Sequence, residues 1–365
     1  MKPIWLYFLI VILYSCKTTS TTINAEKSTI PLYVGTFTTK DSKGIYHFLF
    51  NTKTGALTNQ KLAAETSSPN YMVYSKNRKH LYTANRSGNP DQPDFISAFN
   101  VNKNGTLTLI NTQNSQGKSP CHVTINEEGT LISNTNYNGG TVSLYQINKD
   151  GGLTKAKQVF NHNAKNQTSH AHSSQFYKNE LFVADLGRNA IYQYVLNEGE
   201  YKLQSEAIVN AVGNPGPRHF TISQNGTFIY VINEYENSIT SIKRDDSNFK
   251  TIDLDTTLMS NTTEENFSAD IHLSKNQKYL YVTNRGENTV AVFNRNTETG
   301  TIEKIQNISV EGDWPRNFTI DPTGTFLLVA NRRSNNISVF KINQNNGQLS
   351  FLHDVKTPSP VFLLF

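Results

Sequence analysis

The chain has 365 residues, a length that fits either two ordinary domains or one large all-β domain. It contains 17 Tyr and 20 Phe and is rich in Asn, Thr and Ser, a mixture that favours short strands joined by polar turns. The formal net charge of +5 comes from Lys and Arg scattered among acidic residues, so the clustered basic face of a nucleic-acid-binding protein is not expected.

The N-terminal segment predicts export. Lys2 precedes a short apolar run from Ile4 to Leu13 and a small residue, Ser15, a combination typical of a secretory signal. The run is shorter than the roughly 20 apolar residues that a helix needs to span a bilayer. We therefore predict a signal peptide in residues 1–15 and a polar tether in residues 16–30, followed by one domain in residues 31–365.

The end of this segment also resembles a bacterial lipobox. The sequence LYSC at residues 13–16 would place a lipidated cysteine, Cys16, at the start of the mature chain. We expect a lipid anchor, membrane attachment and a periplasmic or cell-surface location in a bacterium; an ordinary cleaved signal peptide is the alternative. Lipidation of Cys16 leaves Cys121 as the remaining thiol, so no disulfide within the chain is expected.

A repeat of strand-like segments extends along the rest of the chain. Each unit contains an apolar strand and a turn, then a strand that ends in Asn or Asp, then two further strands joined by Gly-containing turns. The anchoring residues recur about every 50 residues and are Asn85, Asn136, Asp185, Asn233, Asn284 and Asn331. Four short strands in each such period are typical of a β-propeller blade.

The two ends of the chain supply a seventh unit. Residues 32–38, LYVGTFT, match the anchored strand of a blade, and residues 358–365, PSPVFLLF, match the Pro-led strand that opens one. Pairing of these segments would close the ring and remove exposed sheet edges. We predict an all-β fold, a seven-bladed β-propeller with four-stranded antiparallel blades, because a two-domain β-sandwich explains neither the even period nor the complementary ends.

Charged and titratable residues concentrate where a propeller has its funnel. Pro-led segments begin four of the predicted inner strands, and HAHSSQF and SADIHLS hold the equivalent place in two other blades. Charges that enter a narrow channel need partners or ligands, so we predict a functional funnel. The residues at this level are His122, His170, His172, Arg218, His219, His272 and Arg316, with Arg86, Asp185, Arg188, Glu234, Arg285 and Arg332 at the ends of the anchored strands.

One of the Pro-led turns is unusually stiff. The sequence GNPGP at residues 213–217 combines two prolines, which fix φ, with two glycines, which reach conformations that other residues avoid. We expect this turn to fix Arg218 at the floor of the funnel. Because successive side chains of a strand point to opposite faces, His219 is expected to point elsewhere.

Four motifs resemble, in chain order, those of the seven-bladed lactonase family, which includes propeller-type 6-phosphogluconolactonases and a fungal carboxymuconate-lactonizing enzyme. The motifs are GTFT, HAHSSQF with VADLGRN, GNPGPRHF with VINE, and SADIHLS with VTNRG. The resemblance covers essentially all of residues 31–365. It implies a catalytic set of His170, Arg218, Glu234 and Arg285, with His172 as the alternate for His170.

The chemistry of lactone opening fits this set. Glu234 is the candidate general base for water if a partly dry funnel raises its pKa. Arg218 and Arg285 can hold a carboxylate or phosphate, or meet the charge that develops on the carbonyl oxygen. His170 or His172 can protonate the leaving oxygen. We predict substrate-binding roles for His172, His122, His219, Asp185, His272 and Arg316, and expect no metal or other cofactor.

Structural roles are the alternatives at these positions. His170 can cap a loop, and Arg218 can bond the carbonyl groups of neighbouring blades. Glu234 and Arg285 can form an ion pair between blades rather than a catalytic pair. The remaining histidines can orient these groups or fill the channel, and Asp185 and Asp270 can accept hydrogen bonds from nearby backbone or arginine.

The sequence therefore predicts a lactone hydrolase with a small-molecule lactone as its partner. Since 6-phosphogluconolactone is a cytosolic metabolite and the chain carries an export signal, we expect an unphosphorylated aldonolactone or another sugar-derived lactone outside the cytoplasm. A non-enzymatic binding module is one alternative, because propellers often serve as scaffolds. An enzyme that forms or isomerises a lactone of a dicarboxylate is the other.

Overall fold

The computed structural model describes Met1 and residues 28–39, 41–204, 208–210, 213–245, 248–259 and 265–365. Every regular secondary-structure element in this part of the chain is a β-strand. No helix of the described residues is long and apolar enough to cross a membrane. Cys16, the predicted signal peptide after Met1 and most of the predicted tether lie outside the described residues.

The strands form seven antiparallel sheets, which are the blades of the predicted propeller. The first three strands of the chain are β1 (Thr29–Thr36), β2 (Gly44–Asn51) and β3 (Leu57–Glu65). Blade 1 contains β4 (Pro69–Tyr74), β5 (His80–Asn85), β6 (Phe95–Val101) and β7 (Leu107–Asn114). Blade 2 contains β8 (Pro120–Ile125), β9 (Leu131–Asn136), β10 (Thr141–Ile147) and β11 (Leu153–Asn161).

Four further blades follow the same order. Blade 3 contains β12 (Ala171–Tyr177), β13 (Glu180–Asp185), β14 (Ala190–Asn197), β15 (Glu200–Leu203) and the short β16 (Val209–Asn210). Blade 4 contains β17 (Pro217–Ile222), β18 (Phe228–Asn233), β19 (Ser238–Asp245) and β20 (Asn248–Thr256). Blade 5 contains β21 (Phe267–Leu273), β22 (Tyr279–Arg285), β23 (Thr289–Arg295) and β24 (Ile302–Ser309). Blade 6 contains β25 (Pro315–Ile320), β26 (Phe326–Asn331), β27 (Asn336–Ile342) and β28 (Leu349–Lys356).

Blade 7 is assembled from both ends of the described chain, which confirms the predicted closure. Its strand order is β29 (Pro360–Leu364), β1, β2 and β3. In the antiparallel register, Tyr33 lies opposite Leu364, and Thr36 lies opposite Pro360. The ring is therefore closed by backbone hydrogen bonds and leaves no free edge between the first and last blades.

The hydrophobic core lies between the blades. In β1, Leu32 and Val34 pack against blade 6, while Tyr33, on the other face, packs against blade 1. This alternation follows from the period of two in a strand. Because both faces of a blade are covered by its neighbours, the second strands read as nearly continuous apolar runs in the sequence.

The anchoring Asn residues have a structural role that explains their repetition. The side-chain amide of Asn136 donates to the carbonyl of Ser115 at 2.7 Å, and that of Asn284 donates to the carbonyl of Thr257 at 2.9 Å. Asn85 bonds Ser67 in the same way. Each of these amides thus fixes the segment that leads into the inner strand of its own blade, at the end of the ring that we call the funnel face.

All inner strands begin at the funnel face. The side chain of Asn70, at the start of β4, donates to the carbonyl of Pro120, at the start of β8. β1 ends at this face and β29 begins there, since Thr36 and Pro360 are paired. Thr29 and Leu364 consequently lie toward the opposite end of the ring.

Candidate active site

A β-bulge near the start of every inner strand shapes the funnel. In β17, Pro217 pairs with Asn233 and His219 pairs with Ile232, which leaves Arg218 as the extra residue. Equivalent register shifts occur in the other six blades. A bulge of this kind interrupts the alternation of side chains, so two consecutive residues can face the channel.

The residue before the proline bends the chain into each bulge. Ser68, Ser119, Trp314 and Ser359 all have positive φ, and the position holds Gly216, with φ +69°, in blade 4. A Cβ at Gly216 would meet the ring of Tyr235 at 2.7 Å. The glycine in GNPGP is therefore required by both backbone conformation and space.

The bulge corrects the expectation that His219 points away from Arg218. Nη1 of Arg218 donates to Nε2 of His219 at 3.2 Å, and both residues are buried inside the ring. Arg218 is only 1% exposed. Sequence reasoning applied strict alternation to β17, whereas the extra residue turns both side chains to the same side.

Arg218, Glu234 and Arg285 meet at the funnel, as the sequence predicts. Oε2 of Glu234 lies 2.7 Å from Nε of Arg218 and 3.0 Å from Nη2 of Arg285. Within the described residues, Oε1 of Glu234 accepts no hydrogen bond, and the side chain is 12% exposed. One carboxylate oxygen is thus held by two cations, while the other has no hydrogen-bond partner among the described residues.

The same arginines also bind the backbone of blade 5. Arg218 Nη1 donates to the carbonyl of Ala269, and Arg285 Nη2 donates to that of Ser268 at 3.1 Å. Both structural alternatives are therefore present in the geometry: an arginine that bonds a neighbouring blade and an ion pair between blades. These bonds fix the guanidinium groups and leave the exposed edge of the cluster free for chemistry.

The expected rise in the pKa of Glu234 does not occur. Burial raises the pKa of its carboxyl group, but the charges of Arg285, Arg218 and Arg316 together outweigh burial and lower it below the usual value. Glu234 is therefore ionised at neutral pH. A carboxylate stabilised in this way is a weaker base than the sequence reasoning assumed.

His170 lies at the same level, in the loop that enters blade 3. Its ring stacks on Tyr137, with centroids 4.4 Å apart, and its Nδ1 lies 3.0 Å from the carbonyl oxygen of Tyr137. A carbonyl can only accept, so Nδ1 carries the proton and Nε2 of the neutral ring carries the lone pair. His170 is partly exposed.

Asp185 positions His170 and is not placed to bind substrate. It is completely buried, and its carboxylate accepts the backbone N–H of His170 at 2.9 Å and that of Arg188 at 3.1 Å. The hydroxyl of Ser169 and Nδ1 of His162 complete its hydrogen bonds. The predicted substrate-binding role of Asp185 is therefore replaced by that of a buried support for the loop.

Three predicted histidines lie together deeper in the channel. His172 and His219 have ring centroids 5.1 Å apart, and His122 lies 5.6 Å from His219. Burial lowers the pKa of His122 and His172 well below the usual range and that of His219 to about 4. All three are neutral at physiological pH, and His219 accepts a hydrogen bond from Arg218.

Asp270 organises the bottom of this region together with His272. It lies 2.7 Å from Nδ1 of His219 and 3.1 Å from Nε2 of His272, and it accepts a hydrogen bond from Asn317. Burial raises the pKa of Asp270, but His272 and His219 outweigh it and hold the pKa well below normal. Burial lowers the pKa of His272, yet Asp270 reverses this effect and raises it.

Arg316, the last predicted residue, lies in a different sector of the funnel. It is the bulge residue of β25 and stands over the ring of Phe37, 5.5 Å from the centroid. Burial and the charges of Arg218, Arg285 and Arg86 lower its pKa well below the usual value. None of the described residues forms a hydrogen bond or ion pair with its guanidinium group.

Sequence reasoning missed Tyr137, Tyr235 and His162. The ring of Tyr137 stacks on His170, and burial, Tyr235 and the charge of Glu234 raise the pKa of the Tyr137 hydroxyl. His162 lies 2.9 Å from Asp185 and 2.6 Å from the hydroxyl of Tyr194. The signal for Tyr137 was available, because it follows an anchoring Asn just as Glu234 and Arg285 do; His162 lies outside the repeating motifs.

No group of three or more His, Cys, Asp or Glu side chains is arranged to hold a metal ion in the residues that the structure describes. Cys121 is a buried free thiol whose Sγ lies 3.2 Å from the carbonyl oxygen of His172.

The buried histidines predict sensitivity to acid. His122, His172 and His219 stay neutral in the folded protein, whereas an unfolded histidine takes up a proton near pH 6.5; His272, with its raised pKa, opposes only one of these protons. The free energy of unfolding should therefore fall as pH decreases from 7 to 5, by at most about 1.4 kcal/mol per pH unit for each extra proton bound by the unfolded chain.

Urea unfolding at several pH values measures this dependence. The H122Q variant, which removes one neutral histidine, should show a shallower decrease than the wild type. Unfolding free energies that stay constant between pH 7 and 5 would contradict the prediction.

Comparisons with known proteins agree with this architecture. The family model described as "Lactonase, 7-bladed beta-propeller" matches residues 31–365. The chain is 31% identical over 304 residues to a 6-phosphogluconolactonase of Bacillus subtilis, covering 80% of this chain and 86% of the relative. It is 34% identical over 313 residues to a 6-phosphogluconolactonase of Formosa agariphila, covering 81% and 87%.

A solved structure extends the comparison to the whole ring. The periplasmic gluconolactonase of Pseudomonas aeruginosa superposes with a TM-score of 0.86 at 26% sequence identity, covering 92% of this chain and 99% of that chain. Closed seven-bladed architecture, the motifs at the funnel and the match over residues 31–365 lead to one assignment. The chain belongs to the lactonase family of seven-bladed β-propellers.

Proposed function

We propose that the protein is a hydrolase that opens a sugar-derived lactone in the funnel. The observation that carries this proposal is Glu234, whose Oε2 is held by Arg218 and Arg285 and whose Oε1 has no hydrogen-bond partner among the described residues. His170 stacks on Tyr137. Burial, Tyr235 and the charge of Glu234 raise the pKa of Tyr137, so this ring pair lies close to the carboxylate. Relatives named 6-phosphogluconolactonase and gluconolactonase support the substrate class.

The arginines stabilise the charge that develops during the reaction. Attack of water on the lactone carbonyl places negative charge on the carbonyl oxygen, and fixed positive groups nearby lower the barrier. Glu234 neutralises one of the two charges of Arg218 and Arg285, so net positive charge remains for the oxyanion. The bonds to Ala269 and Ser268 hold both guanidinium groups in place before substrate binds.

His170 is the residue that moves the proton. Its Nε2 takes a proton from the attacking water, and hydroxide adds to the carbonyl carbon. As the ring C–O bond breaks, Nε2 returns the proton to the leaving oxygen, which becomes the hydroxyl of the open hydroxy acid. We assign the general base to His170 rather than Glu234 because the two arginines lower the pKa of the carboxyl group.

The Glu234→Gln variant should lose activity because it removes the carboxylate that positions the two arginines. The neutral amide oxygen is a weaker acceptor for Arg218 and Arg285, so both guanidinium groups are held less firmly and we expect kcat for lactone hydrolysis to fall by about 10²–10³-fold. Steady-state kinetics with gluconolactone and its 6-phosphate measure the change. Glu180→Gln is the matched control, because Glu180 is also buried and paired with an arginine, Arg244 at 2.6 Å, but lies toward the opposite face.

The His170→Gln variant tests the proton transfer. We expect kcat to fall by roughly 10²–10⁴-fold, because glutamine keeps the polarity of the loop but cannot exchange a proton. His353→Gln is the control, since His353 also bonds a backbone carbonyl, that of Gly55 at 3.2 Å, on an outer strand. If the His170→Gln variant is fully active and the Glu234→Gln variant is inactive, the general base is Glu234 rather than His170. A wild type inert towards all lactones would favour the binding module.

We also propose that the protein is exported and anchored through a lipid on Cys16. The apolar segment and the LYSC sequence support this, as does the similarity to a gluconolactonase named as periplasmic. Expressed with its full N-terminal segment in a bacterium, the wild type should fractionate with membranes. The Cys16→Ser variant should lose the lipid, as seen by mass spectrometry; equal fractionation of both would overturn the anchor.

A further inference from the structure

Three arginines surround a single aromatic ring at the funnel face. The guanidinium carbons of Arg86, Arg316 and Arg332 lie 5.4, 5.5 and 4.6 Å from the centroid of Phe37. We call these four residues the Phe37 cluster. Phe37 itself is 7% exposed, and its backbone N–H bonds the carbonyl of Ser359, so the closure of the ring holds it between blades 6 and 1.

The positive charge of this cluster is not balanced by the protein. Among the described residues, no carboxylate forms an ion pair with any of the three arginines, and no group accepts a hydrogen bond from their side chains. Nε of Arg86 is buried without a partner. Burial and neighbouring arginines lower the pKa of Arg316 and Arg332, which shows that like charges face one another.

Such an arrangement is costly unless a ligand completes it. Partly buried like charges repel, and unpaired guanidinium groups lose hydration without gaining hydrogen bonds. The aromatic ring offsets part of this through cation–π contacts with the three guanidinium groups. The side-chain N–H groups of these arginines have no acceptor among the described residues, so they can donate to the oxygen atoms of an anion.

The cluster occupies a sector of the funnel separate from the reacting groups. Going round the ring, the residues that follow the anchoring Asn or Asp, or Thr36 in blade 7, are Arg86, Tyr137, Leu186, Glu234, Arg285, Arg332 and Phe37, for blades 1 to 7. Blades 2 to 5 thus contribute His170 and the cluster around Glu234, whereas blades 6, 7 and 1 contribute the Phe37 cluster. Arg316 is electrostatically coupled to Arg218, Arg285 and Glu234, so the two sectors share one funnel.

We infer that the Phe37 cluster is an anion subsite that binds a phosphate or carboxylate substituent of the lactone, remote from the carbonyl that reacts. The inference rests on the proposed function, because it places the lactone ring at Glu234 and His170. Phosphate monoester and carboxylate oxygens share the chemistry that planar guanidinium groups recognise. It favours an anionic sugar lactone over the unphosphorylated aldonolactone that the export signal led us to expect.

Substitution of the cluster should change substrate preference. Arg86→Gln and Arg332→Gln each remove one charge-assisted contact, so the ratio of kcat/KM for an anionic lactone to that for neutral gluconolactone should fall about 10–100-fold. The substrates are gluconolactone, its 6-phosphate and a sugar lactone bearing a carboxylate. A fall for the phosphate alone assigns the subsite to phosphate; a fall for both assigns it to anions in general.

Arg78→Gln is the matched control. Arg78 also stands over an aromatic ring, 4.0 Å from the centroid of Tyr74, but in a turn at the opposite end of blade 1. It should leave the ratio unchanged. An unchanged ratio in both Arg86→Gln and Arg332→Gln, with both variants folded by circular dichroism, would overturn the subsite.

Titration with inorganic phosphate separates this inference from the proposed function. Calorimetry should show phosphate binding to the wild type that weakens about tenfold or more in Arg332→Gln and at higher salt. Phosphate binding of this kind without hydrolysis of any lactone would retain the subsite and reject the hydrolase. Hydrolysis with neither phosphate binding nor a preference for anionic lactones would retain the hydrolase and reject the subsite.

Discussion

A regular β-strand turns alternate side chains to opposite faces, so an inner propeller strand without irregularity could send only every second residue toward the axis. The extra residue near the start of each inner strand removes this limit. In blade 4 it directs Arg218 and His219 to the same side, which joins the cluster around Glu234 to the histidines beneath it. The positive-φ residue before each proline and the anchoring Asn amides hold the bulge at one level of the ring.

Charge balance then divides the funnel into layers. At the upper level, Glu234 offsets only part of the charge of Arg218 and Arg285, and the Phe37 cluster adds charge with no carboxylate beside it. Deeper in the channel, Asp270 is held by His219 and His272, and the other histidines stay neutral. Positive potential is therefore greatest where a ligand enters, and it falls where the channel is lined by neutral rings.

The sequence was sufficient for the fold because blade architecture repeats in residue type. Asn recurs at the anchoring position because its side-chain amide, as in Asn136 and Asn284, donates to a backbone carbonyl group. The segment PSPVFLLF completes a blade only when it pairs with β1. The meeting of Arg218, Glu234 and Arg285 could also be predicted, since Arg218 and Glu234 lie at the funnel end of two adjacent strands of blade 4 and Arg285 lies at the same level in blade 5. The repeat and the complementary chain ends can both be recognised from residue types along the sequence.

Other properties depend on three-dimensional surroundings that the repeat does not encode. The direction of His219 depends on a bulge that inserts no recognisable residue type. The pKa of Glu234 depends on how many arginines surround it, and burial alone gives the wrong sign. Asp185 carries the charge of a site residue yet is fully buried and bonded to His170, Ser169 and His162, all three of which lie outside the strands that pair with β13 or flank it.

The direction of β1 has a consequence for how the molecule can be attached to a surface. β1 enters the ring at the end opposite the funnel and β29 finishes there, so Ser28 and Phe365 both lie away from the open side. A linker joined at either residue would leave the propeller at the end opposite the funnel face. A molecule fixed to a bilayer, a bead or a fusion partner through such a linker would present its open side to the surrounding solution, where small solutes arrive by diffusion.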